Sequence, residues 1–151
     1  MKMGTASTIT AGLLAIGVIG FAAAASGQDL SGLANAKNVM PQGYVFQMGF
    51  LKCCGVIYDA ANEADFPAYG VYRGKVVYVE FTFHQGDLSA AKQWDALPGL
   101  QGLSKVDHAS FLFEPTGHGP TNAPQYVLRL WFASAAQLAA MRQEDATEGN
   151  P

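Results

Sequence analysis

Residues 68–84 read AYGVYRGKVVYVEFTFH, and no other stretch constrains the fold as tightly. Two runs of β-branched and aromatic residues flank Arg73 and Gly74. Glycine takes the positive φ that a tight turn demands at little steric cost, so the stretch is a β-hairpin and the chain must build an antiparallel sheet. Two further runs, DHASFLFE (107–114) and QYVLRLWF (125–132), read as strands separated by a long polar loop. Upstream, GYVFQMGFLKCCGVIY (43–58) is an apolar strand-like run in which Gly49 and Gly55 mark bends or bulges, followed by a polar loop from Asp59 to Pro67.

Helical spacing occurs twice. Asp87 can cap a helix reaching about Asp95, with Leu88, Ala91 and Trp94 on one side and Pro98–Gly99 as its stop. Ser134 caps the last helix, Gln137 completes a capping box, and Leu138 and Met141 face inward. The order strand, hairpin, helix, strand, strand, helix predicts an α+β fold: an antiparallel sheet with two helices on one face, in a ferredoxin-like or half-barrel arrangement. With 151 residues, half of them hydrophobic, the chain suits one compact domain. A net charge of -3 with no basic cluster argues against nucleic acid as a partner.

The N-terminus points outside the cytoplasm. Lys2, an apolar run from Ile9 to Phe21 and then Ala22 to Ala25 follow the order of a secretory signal, with cleavage expected after Ala25. An uncleaved anchor is the alternative, since Thr8 to Ala25 nearly spans a bilayer. The expected division is residues 1–25 signal peptide, 26–42 irregular arm, 43–142 a single α+β domain and 143–151 a disordered tail. No cysteine stands at the cut to carry a lipid, so the mature protein is expected to be periplasmic or extracellular and free of membrane. Export gives Cys53 and Cys54 weight. Strand neighbours point to opposite faces and cannot bridge each other without strain, which leaves one buried and one half-exposed thiol, or an intermolecular disulfide or thiol ligand.

Pleat alternation splits each strand into two sets. Val77, Val79, Phe81 and Phe83, with Ala109, Phe111, Phe113, Tyr126, Leu128, Leu130 and Phe132, form the set expected to lie under the helices. The opposite set is chemically mixed: Tyr78, Glu80, His84, His108, Glu114, Gln125, Arg129 and Trp131. An antiparallel sheet can leave one face wet, but Trp131 and Leu112 favour a covered face, hence a pocket or a subunit interface. Glu80, His84 and His108 are the candidate metal ligands, although no H-x-H or H-E-x-x-H spacing supports them. His118, between two glycines, suits a loop hydrogen-bonder or lid. No G-x-S-x-G is present, and Arg129 can hold Glu80 or Glu114 ionised in a structural pair as readily as a carboxylate pair can act in catalysis.

The succession YGVYRGKVVYVEFTF, DLSAAKQWDALPGL, VDHASFLFEPTGHGP and APQYVLRLWF resembles a small family of exported bacterial domains of unknown function, first seen in a sigma-E-regulated protein of a thermophile. The resemblance runs from about Gly43 to Phe132 and keeps Gly55, Tyr58, Glu80, Asp107, His108, Gly117, His118, Pro124 and Tyr126. It implies histidines at positions 57, 125 and 129 and an aspartate at 127, where this chain has Ile57, Gln125, Arg129 and Val127. A metal centre implied for relatives would here have lost ligands and gained a guanidinium that repels cations. The expectation is therefore a non-catalytic binding or assembly domain without a cofactor, its partner a small-molecule ligand or another copy of itself. The alternative is a metal-binding protein or metal-dependent enzyme using Glu80, His84 and His108.

Overall fold

A computed structural model describes residues 29–51, 55–60, 67–117 and 123–148. The signal-like segment, Cys53, Cys54 and His118 lie outside the described residues. The elements are α1 (Ala36–Val39), β1 (Tyr44–Gly49), β2 (Gly55–Ala60), β3 (Ala68–Tyr72), β4 (Lys75–His84), α2 (Gln85–Ser89), β5 (His108–Glu114), β6 (Gln125–Trp131) and α3 (Ala135–Glu148). The strands form one open sheet in the order β1-β2-β3-β4-β6-β5, with every neighbouring pair antiparallel. The α+β class with an antiparallel sheet is what the structure shows.

The β3–β4 turn places both Arg73 (φ 47) and Gly74 (φ 76) in the left-handed region, the geometry whose twist matches a two-residue hairpin. From β4 the chain crosses over to the sheet edge, lays down β5, and returns with β6 between them. β4 and β5 therefore run parallel on either side of β6, a split crossover of the ferredoxin-like kind, to which β1 to β3 add a meander.

Several local expectations need correction. Residues 43–58 are two paired strands, β1 and β2, because the chain reverses between Gly49 and Gly55. The helix expected from Asp87 begins at Gln85, gains no side-chain cap and ends at Ser89; Ala91 follows at φ 56, which no helix continues through. Trp94 packs edge-on against Phe83 at 4.8 Å. The N-terminal arm is stitched into the domain: the Val76 amide donates to the Ala34 carbonyl, that of Ala36 to the Gly74 carbonyl, and Leu33 is buried. At the other end, the helix continues past Gln143 to Glu148. Its start is as expected, with Ser134 Oγ accepting from the Gln137 amide and Gln137 Oε1 from the Ser134 amide. Among the described residues, no helix is long and apolar enough to cross a membrane.

The helices do not share a face. Leu138, Met141 and Arg142 of α3 stand over Ile57, Tyr78, Arg129 and Trp131, the mixed face. α1 meets Val56, Tyr58 and Val71 on the other side, where the stretch after α2 also packs, tied by the Tyr69 hydroxyl donating to the Gly99 carbonyl. Val77, Val79 and Phe81 are buried as expected, but Phe111 and Phe113 are 60% and 49% exposed. Their face is covered over β3 and β4 and open at β5.

Candidate functional site

Register turns the mixed face into rungs across three strands. Tyr78 pairs with Trp131 and Trp131 with His108; Glu80 with Arg129 and Arg129 with Ser110; Thr82 with Val127 and Val127 with Leu112; His84 with Gln125 and Gln125 with Glu114. Strands lie about 4.8 Å apart and residues on one face about 6.6 Å apart along a strand, so only adjacent rungs touch.

The first two rungs form one cluster. Arg129 holds Glu80 through a forked contact, Nε at 2.6 Å from Oε2 and Nη2 on the same oxygen. Glu80 is only 6% exposed, and the Arg129 side chain 24%. The guanidinium also lies 5.1 Å from the Tyr78 ring centre and 5.7 Å from that of Trp131, within cation–π range. Trp131 is fixed from both sides, stacked on His108 at 5.7 Å and donating from Nε1 to Ser110 Oγ at 3.2 Å. His108 in turn meets the Asp107 carboxylate at 2.8 Å. A pocket of about 230 Å³ opens above this cluster, closed on its other sides by Phe50, Leu51, Ile57, Leu138, Met141 and Arg142.

Burial pushes the Tyr78 phenol well above its ordinary value; the Glu80 carboxylate adds to the shift and Arg129 opposes it. Tyr69 is shifted the same way by burial. An unfolded tyrosine ionises near pH 10 while the folded phenol stays protonated, so their contribution is complete below that pH and is lost as pH rises through the folded value. Urea midpoints measured from pH 9 to 12 should fall steeply, and Tyr78→Phe should flatten the decline; an equally steep decline in that variant would disprove the assignment.

The last rung is separate. Gln125, 1% exposed, donates from Nε2 to Glu114 Oε2 at 3.1 Å, and His84 Nδ1 is buried without a hydrogen-bond partner among the described residues. His84 is four residues along β4 from Glu80, about 13 Å, while His108 lies at the opposite end of the face. The expected ligand set Glu80, His84 and His108 thus does not converge, and among the described residues no three His, Cys, Asp or Glu gather to hold a metal ion. What the sequence missed is the far wall of the pocket, above all Arg142. Its spacing of four from Leu138, on a helix that the capping box already announces, was the available signal.

No family model matches the chain, and no curated protein matches it. Among solved structures it is similar to a hypothetical protein of Thermus thermophilus, TTHB210, with 20% identity, 62% of this chain and 86% of that chain covered, and a TM-score of 0.50. The likeness is one of fold.

Proposed function

We propose that the protein is an exported, non-catalytic assembly domain, and that its partner is a second copy joined through β5. One observation carries this reading: on β5, an edge strand, the consecutive residues Phe111, Leu112 and Phe113 are 60%, 42% and 49% exposed, so the middle of the edge is apolar on both faces. Such an edge offers unpaired backbone groups and apolar surface together, and invites another strand. Phe111 and Phe113 already pack on the Tyr126 ring at 5.4 Å and 4.9 Å, which gives the patch a fixed shape.

The other edge is less suited. β1 also exposes Phe46 and Met48, but its register breaks between them, and such a bulge blunts strand addition. β5 keeps an unbroken register against β6 from His108 to Glu114. Pairing two β5 strands antiparallel about Phe111 sets His108 of each copy opposite Glu114 of the other, a ring N–H donor facing a carboxylate acceptor, in an arrangement that closes as a two-fold dimer. Export rests on the first 25 residues, and kinship with the exported domains that the sequence resembles is part of the same proposal.

Sedimentation equilibrium under reducing conditions, which removes any contribution from Cys53 and Cys54, tests the reading. The wild type should run as a dimer at tens of micromolar, and Phe111→Lys, which sets like charges across the axis, as a monomer with melting temperature nearly unchanged. A monomeric wild type, or a Phe111→Lys variant that still dimerises, removes the proposal.

A further inference from the structure

The pocket beneath α3 lies on the opposite face of the sheet from Phe111 and Phe113, and its chemistry can be read independently of the dimer. Phe50, Leu51, Ile57, Trp131, Leu138 and Met141 make it apolar on most sides, and Phe50 and Trp131 stand tilted around the Tyr78 ring at 5.4 Å and 4.8 Å. An apolar cavity on the order of 150 Å³ is enough for benzene. The pocket's ≈ 230 Å³ therefore holds one ring with a short substituent.

Charge sets the class of that substituent. The Arg129 guanidinium is balanced by Glu80 directly beneath it, and Tyr78 stays a neutral phenol at physiological pH. Arg142, on the exposed side of α3 at the rim, has neither an ion pair nor a hydrogen bond among the described residues. The lining thus carries one unbalanced positive charge over an aromatic floor. We propose that this pocket binds a small aromatic carboxylate, its ring against Trp131 and Tyr78 and its carboxylate on Arg142. A guanidinium matches the two oxygens of a carboxylate bidentately, which a hydroxyl or an amide cannot reproduce.

Trp131 is a built-in reporter. In a Trp94→Phe background, where Trp131 is the remaining tryptophan, emission is followed while benzoate, phenylacetate or the neutral benzyl alcohol is added. The carboxylates should give a saturable change, with benzyl alcohol weaker by roughly tenfold or more, the size of one charge-assisted hydrogen bond. Arg142→Gln, an exposed change expected to leave the melting temperature alone, should weaken the carboxylates by roughly tenfold and leave the alcohol unchanged. No saturation up to millimolar carboxylate, equal affinity for the alcohol, or indifference of benzoate binding to Arg142→Gln each overturns the assignment. Testing in the Phe111→Lys variant as well separates the outcome from the fate of the dimer.

Discussion

Arg129→Ala should lower the stability of the domain by about 3 kcal/mol, roughly 10 °C in melting temperature. Glu80 sits almost fully buried directly across the β4–β6 ladder, with both Nε and Nη2 of Arg129 on its Oε2. Removing the guanidinium leaves the carboxylate in the same dry position without its cation, and breaking a buried pair on one side costs more than the pair itself contributes. Arg129 is part-exposed, which places the loss at the lower end of the usual range. The cation–π contacts to Tyr78 and Trp131 go with it. A control separates these effects: Arg129→Met combined with Glu80→Met removes both charges and fills similar volume, and should recover most of the loss. If chemical denaturation finds Arg129→Ala within about 1 kcal/mol of wild type, the pair is not the electrostatic centre of this face.

The sequence is informative about the sheet because the pleat has a period of two and needs no tertiary knowledge. Alternation alone sets Tyr78, Glu80, Arg129 and Trp131 on one face, and the rungs bring these four together. What alternation cannot say is how far apart residues of one face lie along a strand. His84 and His108 therefore fall into one candidate ligand set although they sit at opposite ends of the ladder. Nor does it say which face a helix covers. β4 is buried from Val76 to Phe81 on both faces, with valine and phenylalanine on one and tyrosine on the other, so either face could have received α3. The stop after Ser89 is also hidden, since Ala91 is a good helix former, yet it takes the left-handed position of a local C-cap in which its amide donates to the Leu88 carbonyl and that of Lys92 to the Asp87 carbonyl, a place that glycine usually fills. The β1–β2 reversal is half-visible: Gly49 and Gly55 read as bends, and antiparallel pairing makes them the two ends of a turn region.

Gly70→Ala should be strongly destabilising, about 3 kcal/mol, although the same change at an ordinary strand position helps. In a strand interior alanine is favoured over glycine by roughly 0.5–1 kcal/mol, and the φ of Gly70 is not in the left-handed region, so the backbone itself accepts a side chain. The obstacle is the partner across the ladder. Tyr78 pairs with Gly70 and lays its ring over it, so an added Cβ would fall 2.1 Å from Cε1 and 2.3 Å from Cζ. A free side chain would swing away, but this ring is held by Phe50, by Trp131 and by the Arg129 guanidinium. Moving it disturbs the Glu80–Arg129 rung and the pocket floor together, which sets the cost at the upper end of overpacking penalties. The sign therefore depends on Tyr78: in a Tyr78→Leu background, already weakened by loss of the ring, adding Gly70→Ala should cost less than about 1 kcal/mol. If the penalty is the same in both backgrounds, the ring is not what reserves position 70 for glycine. If it vanishes with the ring, Gly70 and Tyr78 act as one unit, and the close approach of the β3 backbone is what lets an aromatic floor form beneath α3.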